Sequence, residues 1–252
     1  MKMIKNLILG AGIFFVLSSC SSDELKYESH TVKKLDFQLN GEPWNLNVGI
    51  SNRPLFIYKE NGEYFASYSS LYPFSLDDGK YKLVATDYPE QMVPSPTNLN
   101  ELIVQQPSLA NQPVNLSDAM PYASPFDEPL TLNIITRTGI LRLKTLDITA
   151  DKSYTTIKTT VLVKRSGYKV VDGTYIKEDM FVTRSKATAS GGINYTDDFV
   201  LFQTDEEANN VRVKIECLNQ NMEVVKTKEL QGTFAIEGNK VTNVDFLINE
   251  PL

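Results

Sequence analysis

The sequence is poor in the residues that most often carry chemistry. It holds one histidine, His30, in 252 residues, so no catalytic pair or metal centre that needs two imidazoles can be built from it. Its two cysteines, Cys20 and Cys217, leave no internal disulfide if one is acylated. Lysine and arginine do not cluster, and the formal charge is −6, which argues against nucleic acid as a partner. No stretch of helix length shows an apolar stripe, Asn98 to Gln106 coming nearest. No G-x-S-x-G, H-E-x-x-H, Walker or dinucleotide-binding pattern occurs. The chain therefore reads as a non-enzyme without a small-molecule cofactor. What it does have is a core-forming composition, 42% hydrophobic and 10% aromatic, beyond the range of disordered chains.

The N-terminus carries an address. Met1-Lys2-Met3-Ile4-Lys5 is a short basic segment, and Leu7 to Leu17 is apolar and uncharged, too short for the ~20 residues of a spanning helix. Leu17-Ser18-Ser19-Cys20 resembles a bacterial lipobox, in which an aliphatic residue and two small ones precede the acylated cysteine. Residues 1–19 are then a lipoprotein signal peptide, and Cys20 is the lipidation site that ties the mature chain to the outer membrane. Loss of Lys2 and Lys5 takes the net charge from −6 to −8. Ser21-Ser22-Asp23-Glu24 resembles the acidic surface-export signal of Bacteroidetes lipoproteins. Residues 20–33 show no sustained period and read as a tether, with His30 as an ordinary surface residue.

Beyond the tether the pattern is β. Leu35, Phe37 and Leu39 alternate with polar residues up to Asn40-Gly41, and Trp44, Leu46 and Val48 alternate on the return, the mark of a hairpin. Asn61-Gly62 signals a second hairpin, and the Asp77-Asp78-Gly79 turn feeds a strand through Ala85. Eight of the 12 prolines lie between Pro89 and Pro129, which keeps that region out of central sheet and marks it as loops with short edge strands near Leu102–Val104. After it, 130–135, 140–148 and 155–164 resume alternation. Ile157, Thr159, Val161 and Val163 share one face, as do Val211, Val213, Ile215 and Cys217, and then Val244, Phe246 and Ile248. Cys217 is therefore a core thiol. A strand over 233–237 and a Gly238-Asn239 turn precede the last of these. The spacing predicts two tandem antiparallel β-sandwich domains, 34–125 and 126–252. Asp78-Gly79-Lys80-Tyr81 recurs as Asp172-Gly173-Thr174-Tyr175, and a tyrosine after such a turn can bond back to the corner backbone.

Paired carboxylates at Asp77-Asp78, Asp127-Glu128, Asp197-Asp198 and Asp205-Glu206-Glu207 sit beside turn-forming residues and read as solvated turns. None has the spacing of a calcium loop. Six of the 12 tyrosines crowd between 58 and 88. Tyr58, Tyr64, Tyr68 and Tyr72 offer a candidate platform for stacking on sugar rings. The competing reading is that tyrosine simply suits strands.

The lipobox, Leu76…Gly79-Lys80-Tyr81-Lys82-Leu83-Val84-Ala85, Ser117-Asp118-Ala119-Met120-Pro121-Tyr122-Ala123 and the strand over 130–143 occur in that order. Together they resemble the fimbrillin superfamily of Bacteroidetes, particularly its fimbrial-anchor lipoproteins. The resemblance implies two transthyretin-like or immunoglobulin-like sandwiches, no catalysis, fimbrial subunits as partners, and assembly by β-strand addition. Stalk subunits of that family polymerise after an arginine-specific cut removes an N-terminal strand. Here no arginine lies between Cys20 and Asn52, and the first, Arg53, precedes Pro54, a poor bond for such cleavage. An uncleaved anchor or accessory subunit is the expectation. The alternative is a glycan-binding surface lipoprotein that uses the aromatics of 56–88.

Overall fold

The computed structural model describes residues 29–32, 35–43, 54–69, 74–86, 92–93, 97–107, 114–125, 130–146, 153–188, 194–230 and 232–248. Strands dominate them, and the architecture is the all-β sandwich that the period-two alternation demands. The first strand, β1 (Ser29–Val32), pairs antiparallel with β6 (Phe74–Asp77), setting His30 opposite Leu76. The last part of the expected tether is thus ordered by pairing across the fold, a long-range contact that a four-residue window cannot reveal.

The first sandwich faces two sheets. One contains β2 (Leu35–Leu39), β3 (Glu42–Pro43), β10 (Asn115–Ser117) and β12 (Leu130–Thr136) in the order β10-β12-β2-β3. The other contains β4 (Pro54–Lys59), β5 (Tyr64–Ser69), β7 (Gly79–Ala85) and β11 (Met120–Ser124) in the order β11-β7-β4-β5. Phe37, Leu55, Ile57, Leu83, Leu132 and Ile134 fill the space between them. Both hairpin turns form as expected, because Asn40 (φ 53°), Gly41 (φ 86°) and Gly62 (φ 91°) take the left-handed backbone that tight hairpins require. At Gly62 a Cβ would also lie 2.5 Å from Asn100 Nδ2, so the Asn100 side chain would have to give way. Pro121 sits in β11, an edge strand, where its missing N–H leaves no ladder bond unmade.

The second sandwich packs β18-β13-β21 against β17-β14-β19-β20. Its strands are β13 (Thr138–Leu146), β14 (Thr156–Val163), β17 (Met180–Ala187), β18 (Asn194–Phe202), β19 (Arg212–Leu218), β20 (Val224–Glu229) and β21 (Val241–Leu247). Ile157, Val161, Val213, Ile215 and Cys217 are buried between the sheets, with Phe199 and Phe246 facing them. The segment 233–237 makes only an isolated bridge, Phe234 to Val211. Two pairings depart from the antiparallel expectation: β12 runs parallel to β2, and β21 parallel to β13. Because β12 lies in the first sandwich, the chain passes to the second at Arg137, beyond the position near 126 where the proline-rich segment ends.

A further sheet joins the halves. Here β8 (Met92–Val93) and β9 (Ile103–Gln105) pair on with β15 (Gly167–Lys169) and β16 (Thr174–Ile176), in the order β16-β15-β9-β8. The strand expected near Leu102–Val104 exists, but it is interior to this seam sheet. Leu99 and Glu101, inside the nearest helical candidate, form one 3-10 turn before it. Tyr58, Leu102, Val104, Val114, Leu116, Tyr168 and Phe202 make the seam a continuous core. The Asp-Gly-x-Tyr repeat has no common structural role. The Tyr81 hydroxyl donates to the Asp77 carbonyl at 3.1 Å and ties its own corner, whereas the Tyr175 hydroxyl reaches the Arg137 carbonyl at 3.4 Å across the seam.

Candidate functional site

In the second sandwich the strands that end each sheet are β17, β18, β20 and β21, and their chemistry differs. An edge strand exposes unpaired N–H and C=O groups and can template another chain unless charge, proline or a cap blunts it. On β17, Arg184 faces inward and donates to Asp197 of β18 at 3.2 Å across the gap between the sheets. Tyr195 donates to the same carboxylate at 3.1 Å, and the Arg184 guanidinium lies 5.1 Å from the Phe199 ring centre. Lys186, further along β17, sits over Tyr195 at 4.5 Å. Asp197 and Asp198 are thus strand residues rather than a solvated turn. Asp197 points inward and is 8% exposed. Asp198 points outward, where Arg142 grips it from Nε and Nη2 at 2.8 and 2.7 Å. This bidentate pair holds the Asp198 carboxyl below its ordinary range.

The β18 edge has a second guard. Gln106, 3% exposed, accepts from Phe202 N–H at 2.9 Å and donates to the Val200 carbonyl at 3.0 Å and the Pro107 carbonyl at 3.1 Å. One side-chain amide thereby stands in for a paired strand along the outward groups of residues 200 and 202. On β20, Lys226 and Lys228 oppose the buried Cys217 and Ile215, so they too point inward from an edge. Lys228 Nζ donates to the Leu247 carbonyl at 2.6 Å.

The fourth edge, β21 (Val241–Leu247), is guarded least: the Lys228 bond caps only its last carbonyl, that of Leu247. Its inward residues are Thr242, Val244 and Phe246, its neighbour on one side is β13, and among the described residues no strand pairs with its other side. Val241, at its start, is an exposed apolar residue. The edge is seven residues long, has no charged side chain on its own inner face, and is uncapped before Leu247, the kind of edge that can template another strand.

The seam places charge differently. Arg165, 2% exposed, reaches Asp205 and the Gln203 carbonyl and lies 3.9 Å from the Tyr175 ring centre. It holds the Asp205 carboxyl below its ordinary range. Arg137 donates to Asp118 at 2.6 Å and stacks 4.6 Å from the Tyr168 ring, while the Tyr168 hydroxyl donates to the same carboxylate. Burial, chiefly, raises the Tyr168 phenol above its ordinary value, so it stays a donor. These groups are consumed in joining the halves, and the Asp205 carboxylate binds an internal arginine. Among the described residues no cluster of three metal-ligating side chains occurs.

Of the tyrosine platform, Tyr58 is 0% exposed and lies in the seam core, so its ring cannot meet a sugar. Strand alternation puts it there, between β5 and β7 on the buried face. Tyr64 packs edge-on against Tyr58 at 6.0 Å, and Tyr68 stacks on Phe74 at 4.9 Å. Both are half-buried structural residues, while Tyr72 and Cys20 lie outside the described residues. The β21 edge was invisible in the sequence because openness is a property of what fails to pair.

Fold and edge together define a class, a two-sandwich all-β protein whose β21 edge is largely open. The same fold occurs among solved surface proteins. A Bacteroides ovatus protein described as a candidate adhesin aligns with 86% of this chain and 87% of its own, at 12% identity and a TM-score of 0.54. A second B. ovatus candidate adhesin covers 94% and 99%, at 11% identity and a TM-score of 0.56. A looser likeness, at a TM-score of 0.45 and 11% identity over 78% and 80%, is to the fimbrial anchor protein Mfa2 of Porphyromonas gingivalis. No family model and no curated protein matches the sequence.

Proposed function

We propose that this chain is a lipid-anchored cell-surface adhesion protein, a fimbrial anchor or accessory subunit, that joins its partner by strand addition along β21. The observation that carries the reading is the contrast among four edges, three blunted by inward charges or an amide cap and one, β21, capped only at its last carbonyl. Main-chain hydrogen bonds to an added strand supply affinity without a deep pocket, and side chains at alternate positions set specificity. The shared fold with the Bacteroides candidate adhesins supports a surface role. The lipobox at Cys20 supplies the membrane attachment, and the absence of a processing arginine before Arg53 leaves the chain uncut.

The test copies the protein's own device onto β21. Val244→Lys puts an inward charge on the open stretch of this edge, and Asn243→Lys places the same charge on its exposed outer face. In the producing cell, deleting the gene should shed or lengthen surface fibres. Val244→Lys should reproduce that phenotype at normal surface abundance, and Asn243→Lys should not. Unchanged fibres on deletion, with no fimbrial protein co-purifying, would defeat the proposal.

A further inference from the structure

The outer face of the β17-β14-β19-β20 sheet carries a shallow groove that the strand-addition reading does not use. Its volume is about 210 Å³, room for one pyranose ring. Register places Phe181, Leu162 and Arg212 in one row across three strands, because Leu162 opposes both of the others. At the usual spacing of neighbouring strands, Phe181 and Arg212 stand about 9–10 Å apart. The next row holds Thr183, Thr160 and Lys214, with the two threonine hydroxyls 3.2 Å apart.

Each element of the row has a distinct capacity. Phe181 is 67% exposed, the most exposed large apolar residue described, and an open ring face offers negative charge density to the C–H groups of a sugar. Leu162 continues the apolar floor. Arg212 is exposed and, among the described residues, makes no hydrogen bond or ion pair. The other cations on this face are engaged: Lys158 and Lys214 both hold Glu216, at 3.0 and 2.7 Å, and Lys164 holds Asp179. Glu229 also lines the groove, but it opposes Lys214 in register and lies a row away from Phe181. The uncommitted cation is therefore a single guanidinium beside an apolar ring, and its planar fork matches a carboxylate.

We propose that this face is a binding subsite for a carboxylated sugar of a surface glycan, with Phe181 under the ring, Arg212 on the carboxylate and the threonine pair at the hydroxyls. A chain of net charge −6 repels a polyanion as a whole, so retention by an acidic polymer demands a local site of this kind. The proposal is independent of β21, which lies in the opposite sheet.

Affinity electrophoresis of the full chain decides it, with gels containing polygalacturonate, polysialate or uncharged dextran. Retardation is expected in an acidic gel and not in dextran; the polymer that retards identifies uronate or sialate as the source. Phe181→Ala should weaken it at least tenfold. Arg212→Gln should abolish the preference for acid, and Lys164→Gln, which removes an already paired cation, should leave it intact. Both main positions are exposed, so unchanged melting temperatures are the control for folding. Equal migration in all three gels would overturn the proposal, as would retardation that survives Phe181→Ala and Arg212→Gln or that Lys164→Gln abolishes equally.

Discussion

Replacing Gln106 with alanine should damage the protein far more than its polarity suggests. Three hydrogen bonds end on this one amide, at 2.9, 3.0 and 3.1 Å. Truncation leaves the Phe202 N–H and the Val200 carbonyl unpaired beside a core that includes Phe202, Val104 and Leu102. An unsatisfied buried group costs roughly 1–3 kcal/mol, so a total of about 2–4 kcal/mol is expected once partial relaxation is allowed for. In chains of this size that corresponds to a fall in Tm of about 6–12 °C. Gln105→Ala, one residue earlier on an exposed position, should stay within about 0.5 kcal/mol. Gln106→Glu sharpens the test. It keeps shape and acceptor but turns an oxygen toward the Val200 carbonyl, and burial raises the folded pKa of the new carboxyl. Its contribution is therefore present at acid pH, where the protonated group donates, and lost as pH rises through that value. Thermal melts at pH 5 and 7 should separate the variants accordingly. A Gln106→Ala loss no larger than that of Gln105→Ala would refute the idea that this amide substitutes for a strand.

Other consequences are as direct. Arg184→Ala should cost about 2–4 kcal/mol by stranding the inward Asp197 carboxylate, and light scattering should show self-association through the newly bared β17 and β18 edges. Tyr81→Phe removes the corner bond to Asp77 and should cost about 0.5–1.5 kcal/mol in urea unfolding, with Tyr175→Phe costing less. Gly139→Ala would set a Cβ 2.2 Å from the Glu237 carbonyl, and the overpacking should destabilise by about 1–3 kcal/mol. Two lysines that donate to Glu216 hold its carboxyl below the ordinary 4.5. That stability is present above the unfolded value and disappears as pH falls through the folded one, so urea midpoints should drop less between about pH 6 and 3 in Glu216→Gln than in wild type. Cys20→Ala should move the protein from membrane to soluble fractions; retention would remove the lipid anchor from the account.

The sequence exposed whatever local alternation and turn chemistry encode. Ile157 to Val163, Val211 to Cys217 and the Asn40-Gly41 and Asn61-Gly62 turns were all legible, because burial on one face forces period two and left-handed backbone selects Asn and Gly. Long-range pairing was not. Nothing in Leu130 to Thr136 announces a parallel partner at Leu35 to Leu39, and the proline-rich stretch before it hid the fact that the first sandwich still needed that strand. Tyr58 illustrates the same limit from the other side: a tyrosine-rich segment looks like a binding surface until register buries its central ring. Phe181 carries no signal in the sequence, because one exposed aromatic leaves no periodic trace. Asp197 and Asp198 looked like turn acids, since the arginines that hold them, Arg184 and Arg142, are distant in sequence.

Strand addition along β21, as proposed, can be read directly by cross-linking. A photo-activatable benzoylphenylalanine at Asn243, exposed on β21, against the same probe at Asn133, exposed on interior strand β12, measures it most directly in the producing cell. A discrete cross-linked adduct to a fimbrial subunit is expected from position 243 and none from 133, with the 243 adduct lost in the Val244→Lys background. No adduct at 243, or equal adducts at both positions, would contradict it.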